Sequence, residues 1–310
     1  MQLYKSRSFG DFFSDTFTFL KENGKHFYKN YFIINGIFII LLMVMIFFFF
    51  RFYNNIIFSD FTTGSGDPFT NYIDENIGTV LIFGSLFFIL GLLLGVINYA
   101  YTPIYFLLFE KHGGKNFTKN DLINELKTQL GKIFIFLLAG FLIAIPTFIA
   151  TLIICGVLAV TIIGIPLLLI VFAWLAQFYF IAFIAYLQTD KGVFDCFSYS
   201  FNLSFKKFWS ANGCVALFYI IIQTVQTIIT IIPYSFLIGS FVLGAENGSN
   251  TNEQTLTAIT LMTITYMVAF FINLIMVTVL QMNESIIYFS LKEETENINT
   301  KSVIDEIGSY

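Results

Sequence analysis

The chain has 310 residues, of which 57% are apolar, 19% aromatic and only 12% charged, and its formal net charge is −4. An ordinary soluble domain is about half apolar and about a quarter charged, so this chain is written for lipid. Without a long basic block it has no electrostatic footprint for nucleic acid, and its three scattered cysteines, Cys155, Cys196 and Cys214, exclude a disulfide framework or a CxxC metal site.

Charges punctuate the first thirty residues. The apolar run that follows, YFIINGIFIILLMVMIFFFF at 31–50, is uncharged and too long for the core of a secretory leader, so an uncleaved membrane span is expected. Apolar runs bounded by charge or turn residues predict six spans, at about 31–51, 79–109, 132–154, 163–187, 212–243 and 256–290. Only an uncharged turn near 155–164 separates the third from the fourth, which predicts a tight hairpin. Segment 52–78, with four acids and turn residues, reads as a solvated loop without calcium-loop spacing.

Lysines set the orientation. Lys5, Lys21, Lys25, Lys29 and Arg7 precede the first span; Lys111, Lys115, Lys119, Lys127 and Lys132 lie between the second and third; Lys191, Lys206 and Lys207 lie between the fourth and fifth; Lys292 and Lys301 follow the sixth. The opposite side has only Arg51. The positive-inside rule therefore puts both termini in the cytoplasm of a multi-pass, bacterial-type inner-membrane protein.

One motif occurs twice: DFFSDTF at 11–17 and DCFSYSF at 195–201. In the first copy Phe9, Phe12, Phe13, Phe17 and Leu20 form one helical stripe, opposite Asp11, Ser14, Asp15 and Thr18. In the second, Phe194, Phe197, Phe201, Phe205 and Phe208 line one face, with Leu203 on the polar side. Each copy runs into an aromatic and basic junction, KHFYKN or KKFWSAN, and a weaker copy around Leu122, Ile123, Leu126, Leu130 and Ile133 precedes the third span. The fold expected is an all-α integral membrane protein of six spans in three tandem units, at about 1–110, 111–189 and 190–292, each an amphipathic helix plus a hairpin, followed by a polar tail at 293–310. The amphipathic helices either lie in the headgroup plane or pack under the bundle, and Phe13, Phe17, Phe197, Phe201 and Trp209 are the candidate interfacial residues.

The stretch 166–209 has a proline-bearing span, an aromatic exit and DKGVFDCFSYSFNLSFKKFW, and the last span exits through IIYFSLKEE at 286–294. These resemble the "A-L-x-x-S-W-x-L-x-K-G-x-F-W" region and the closing "L-Y-Y-D-L-R" of the YciC-like proteins and the related membrane domain of glycerophosphoryl diester phosphodiesterases. Ser290 stands where those relatives often have an acid, and Lys292 where they have arginine. The resemblance implies a family of polytopic membrane proteins, sometimes fused to lipid-related enzymes. It does not imply phosphodiesterase activity, since the catalytic barrel needs about 250 further residues.

No catalytic constellation is legible. His26 and His112 lie in the cytoplasmic flanks of spans, where a solvated or interfacial role is the default, and no cofactor or metal is expected. Intramembrane polar residues are Asn98, Gln177, Gln223, Gln226 and Asn273, for which interhelical hydrogen bonding is the plain explanation. Glu110 and Glu284 are placed near helix ends, and Glu284 is the acid to test first. Pro103, Pro146, Pro166 and Pro233 would interrupt four spans, and GLLLG at 91–95 would bring helices close. The expectation is a non-enzymatic component that organises membrane lipid, or a partner protein or second copy, through its amphipathic helices. A small-molecule or lipid transporter is the alternative.

Overall fold

The computed structural model describes residues 1–63, 68–161, 164–247 and 251–299, and these are helical almost throughout, with no strand among them. The helices are α1 (Phe9–Thr63), α2 (Pro68–Lys111), α3 (Lys119–Ala159), α4 (Gly164–Gln188), α5 (Val193–Ser204), α6 (Phe208–Asn247) and α7 (Thr251–Glu296). Six of them are long and apolar enough to cross a membrane, so the chain is an all-α, multi-pass membrane protein.

The helices are longer than the apolar runs. α1 absorbs the first copy of the motif together with the first span, and α3 absorbs the weaker copy; only the copy in α5 is a helix of its own. The acidic segment expected as a loop is helical at 52–63 and 68–78, with a kink in α2 at Asn76. Residues 64–67 lie outside the described residues, as do 300–310 of the tail, whose first residues instead continue α7 to Glu296. Neither Pro103 nor Pro146 interrupts its helix, and Pro166 sits in the first turn of α4, where a missing N–H costs nothing.

Helix starts follow local chemistry. Ser8 and Asp11 bond reciprocally at the start of α1: the Ser8 amide donates to Asp11 Oδ2 (2.9 Å) and the Asp11 amide to Ser8 Oγ (3.4 Å). Thr118 and Asp121 do the same for α3, at 2.7 and 3.4 Å. Such a box satisfies two orphan donors at once. α5 begins at Gly192, three residues before Asp195, with no side-chain cap.

The described chain groups into two compact units. The first comprises Met1–Phe32, Tyr99–Ile221 and Val277–Tyr310, of which the tail beyond 299 is not described; the second comprises Ile33–Asn98 and Ile222–Met276. In the first unit, Phe19 stacks on Phe106 (centroids 4.6 Å apart), Phe27 meets Tyr101 and Tyr105 (both 4.9 Å), and Phe136 meets Phe183 and Phe197 (4.8 and 5.1 Å). All eleven residues of α7 from 281 to 291 are buried. In the second unit Phe50 stacks on Tyr266 (5.0 Å) and Gln226 donates to the Ala269 carbonyl (3.1 Å).

α3 and α4 pack as a hairpin joined by Thr147 and Tyr179, whose hydroxyls lie 3.0 Å apart. Gly164 is where the turn needs glycine: a Cβ there would stand 1.9 Å from the Leu158 carbonyl oxygen. At Gly140 a Cβ would make an ordinary van der Waals contact with Tyr179 at 3.9 Å, and Gly91 and Gly95 face open space among the described residues. Neither glycine of GLLLG therefore makes a close helix contact among the described residues.

The phenylalanine stripes are rotated from their expected position. In α1 the buried face is Phe12, Thr16, Phe19, Asn23 and Phe27, whereas Phe9 and Phe17 are exposed. In α5 it is Cys196, Phe197, Ser200, Leu203 and Ser204, with Phe194, Phe201 and Phe205 exposed. Leu203, expected on the outer side, is thus an inward residue. Lipid accepts exposed phenylalanine as readily as a core does, so phenylalanine alone does not mark the inner face.

Candidate functional site

Three features of the first unit have the character of a site: a hydrogen-bonded cluster at helix ends, a buried polar layer, and an exposed aromatic surface. The cluster centres on Gln188, the last residue of α4. Its Nε2 donates to Glu110 Oε2 (2.7 Å) and to Tyr4 Oη (3.2 Å), and its Oε1 accepts from Lys292 Nζ and from the Tyr288 hydroxyl, both at 2.6 Å. Tyr4 donates to the other Glu110 oxygen at 2.5 Å and sets its ring edge-on to Phe289 (5.2 Å). Burial, and then the adjacent Glu110 carboxylate, push the Tyr4 hydroxyl far above its ordinary pKa.

Around this cluster the N-terminal residues are tied down. Arg7 is buried, and its guanidinium donates to the carbonyls of Leu3 (2.7 Å), Lys5 (3.0 Å) and Gln2 (2.6 Å) and to Asp15 Oδ2 (2.8 Å). Lys207 donates to the Arg7 carbonyl (2.8 Å) and Ser6 Oγ (3.1 Å), and both Lys207 and Ser6 reach Glu294. Nearby, Tyr199 of α5 donates to Glu296 at 2.9 Å with Lys191 over its ring; burial and that carboxylate push its hydroxyl far up as well.

The polar layer lies deeper. Asn283 Nδ2 donates to the Phe12 carbonyl (3.1 Å), Thr16 Oγ1 (3.0 Å) and Cys214 Sγ (3.5 Å), and Thr102 Oγ1 donates to Gln281 Oε1 (2.9 Å). Glu284 is only 4% exposed and stands within electrostatic reach of Tyr99 and Tyr219; among the described residues no ion pair includes it. It is therefore a buried residue rather than one at a helix end. Gln177 is completely buried with neither amide atom hydrogen-bonded. Such a group costs several kcal/mol of lost solvation, roughly 1 to 3 by mutational measures.

The other intramembrane candidates do not join them. Asn98, Gln223, Gln226 and Asn273 all belong to the second unit, where Gln226 bonds across to α7 and Gln223 is exposed. His26 is a structural clamp: its Nε2 meets the Phe117 carbonyl (3.1 Å), leaving Nδ1 to accept from the Tyr105 hydroxyl (2.9 Å). No group of metal ligands occurs among the described residues.

At the start of α6 the aromatic surface is continuous. Phe201 and Phe205 (5.0 Å), Phe205 and Phe208 (5.6 Å), and Phe208 and Trp209 (5.3 Å) are successive ring contacts, and Trp174 lies 5.6 Å from Phe205. Trp209 is 66% exposed and Phe201 49%, whereas Phe197 is buried; Phe13 and Phe17 rest on Phe218, at 5.5 and 5.9 Å, with Phe17 43% exposed.

No family model, curated protein or solved structure matches this chain. Its chemistry is thus read from its own residues. Tyr4, Gln188 and Tyr288 carried no signal in the sequence: Tyr4 stands among the charges ahead of the first span, and Gln188 and Tyr288 are ordinary residues near the ends of apolar runs. The available hint was that Glu110, Gln188 and Lys292 all stand in the last turn of an apolar helix or just beyond it.

Proposed function

We propose that the protein is a non-enzymatic component of a bacterial-type inner membrane that organises lipid through its interfacial aromatic surface, with both termini in the cytoplasm. The observation that carries this reading is the aromatic run at the junction of α5 and α6, in which Phe201, Phe205 and Trp209 are exposed and Phe208 is half-buried between them, flanked by Lys191 and Lys206. Aromatic rings beside lysines at the end of an apolar span suit the headgroup boundary, where one edge is wet and the other apolar. The resemblance to the YciC-like proteins at 166–209 covers the same surface, and members of that family are sometimes fused to lipid-related enzymes.

The reading includes three tandem units, each an amphipathic segment followed by a helical hairpin. Two observations support it: the reciprocal caps Ser8–Asp11 and Thr118–Asp121, and the matched burial of Phe12, Leu122 and Cys196, each one residue beyond the aspartate of its motif.

Native mass spectrometry of the protein extracted with its surrounding lipid tests the function. Wild type should retain a defined lipid, and a Phe201→Ser, Phe205→Ser, Trp209→Ser variant should lose it; equal retention by both would remove the aromatic surface from the account. Retention of a protein partner or a second copy instead would move the organising role from lipid to protein. Cysteine accessibility should place residues 113–120 on the cytoplasmic side and 52–78 on the other, and reversed labelling would overturn the orientation.

A second reading, a small-molecule or lipid transporter, is favoured by Glu284 and by the unpartnered amide of Gln177. It requires that Glu284→Gln and Gln177→Leu change flux in reconstituted vesicles while the protein stays folded.

A further inference from the structure

Glu110, Gln188 and Lys292 occupy matching places in three helices. Aligning YFLLFEK (105–111), FIAYLQT (183–189) and IYFSLKE (287–293) puts them in one column, each after Phe109, Leu187 or Leu291. These three columned residues are also the ones that bond to one another, with the Gln188 amide donating to the carboxylate and accepting from the ammonium. An anion, a neutral amide and a cation, one from each helix, thus tie three helix ends into a single chain of hydrogen bonds. Bonds with a charged partner are the stronger kind.

The N-terminal segment closes over this tie. Tyr4 places its hydroxyl on Glu110 and Gln188 together, and its ring on Phe289. Arg7 gathers three carbonyls of the same segment into a compact knot and moors it to Asp15 of α1. Lys207, at the α5–α6 junction, holds the knot from the other side through the Arg7 carbonyl. Deeper lies the polar layer, with Asn283 and Glu284 in a stretch of α7 that is buried at every position and Cys214 of α6 against Asn283.

Local hydration and charge explain why such a segment matters. A buried carboxyl with no ion pair among the described residues, next in the chain to Asn283, whose Oδ1 has no hydrogen-bond partner, is costly while dry and gains from water or a polar ligand. Among the described residues the segment is moored by the side chains of Tyr4, Ser6 and Arg7, by Lys207 and Asn299 on its carbonyls, by its amino terminus on Glu22 and by the burial of Leu3; it precedes the first turn of α1, so it can leave without unfolding a helix.

We propose that residues 1–7 form a latch that closes the end of the helix bundle, and that its release admits water to the buried polar layer around Glu284. The latch is independent of the aromatic surface and would operate under either functional reading.

The native cysteines report on it. In full-length protein carrying Cys196→Ala, reconstituted in lipid nanodiscs, Cys214 is the probe within the layer and Cys155 of α3 is the internal reference. With a water-soluble maleimide, Cys214 should react slowly in the parent, at least tenfold faster in Arg7→Gln, and faster by a smaller factor in Tyr4→Phe, while Cys155 keeps its rate. A variant lacking residues 2–7 should react fastest, and a synthetic peptide of residues 1–8 should restore protection, which a misfolded bundle would not allow. Unchanged Cys214 labelling in all three variants, a parallel rise at Cys155, or no protection by the peptide would each overturn the latch.

Discussion

The motif at 11–17 and its copy at 195–201 place the same positions inward, yet one continues into a span and the other stops. Thr16 and Ser200 are both buried hydroxyls, Phe19 and Leu203 both face the core, and Phe17 and Phe201 both face out. α1 then runs unbroken through KHFYKN, whereas α5 ends at Ser204 and α6 begins at Phe208. Spacing accounts for the difference. The junction phenylalanine follows the motif by ten residues in the first copy, Phe17 to Phe27, but by seven in the second, Phe201 to Phe208. Removing three residues offsets the facing of a continuous helix by a net of about 60° and shortens it by about 4.5 Å, so the span could not keep the facing and depth of the first copy without a break.

The break has a cost and a compensation. Lys207 adopts φ 47°, a left-handed conformation that costs a side-chain-bearing residue about 1 to 2 kcal/mol. Its ammonium answers with bonds to Ser6, the Arg7 carbonyl and Glu294, and Asn212 Nδ2 takes the Ser204 and Phe208 carbonyls at 3.4 and 2.9 Å. A motif therefore sets which side faces in, while the junction decides whether the helix continues.

The comparison breaks most severely at the paired core positions. Phe19→Ala should destabilise the protein by about 3 to 5 kcal/mol and Leu203→Ala by about 2 to 5, measured by unfolding in mild detergent. Phe17→Ser and Phe201→Ser should cost far less; if all four cost the same, the shared burial register is wrong. Alkali separates the copies next. Where α1 has Asp15, α5 has Tyr199, whose hydroxyl is held protonated by burial and by Glu296. Above the ordinary tyrosine pKa the unfolded chain loses this proton while the folded one keeps it, so stability should be flat below about pH 10 and fall above it. Tyr199→Phe should make that fall shallower, and an unchanged alkaline profile would count against the Tyr199–Glu296 bond.

Smaller changes sharpen the contrast at the break and at the cap. Lys207→Gly and Lys207→Ala both lose the ammonium, but only glycine relieves the backbone, so the glycine variant should be the more stable by about 1 kcal/mol. Equal stabilities would mean that the conformation at 207 carries no strain. Gly192→Ser would give α5 the cap that Ser8 and Thr118 give α1 and α3. It should add a few tenths of a kcal/mol, roughly 0.3, once the Asp195 carboxylate moves from the 2.9 Å at which it would meet the new Cβ. A loss of stability would show that Asp195 cannot give way.

Much of this protein is legible locally. Six apolar runs long enough to span lipid, the serine or threonine three residues before an aspartate at two helix starts, and the tight turn before Gly164 all follow from nearest-neighbour chemistry, which needs no partner from elsewhere in the chain. The inner face was not legible from its 41 phenylalanines, because lipid and protein core accept an aromatic ring alike. It was marked instead by polar residues: Thr16 and Asn30 of α1 are buried and hydrogen-bonded, since a hydrogen-bonding group in a membrane must find its partner inside the protein. Only the tertiary structure decided that Gln188 would join Glu110 to Lys292, that Tyr4 would cover them, and that Glu284 would be enclosed rather than interfacial. Those outcomes depend on bringing together residues between 78 and 184 positions apart, a distance over which sequence pattern carries no geometry.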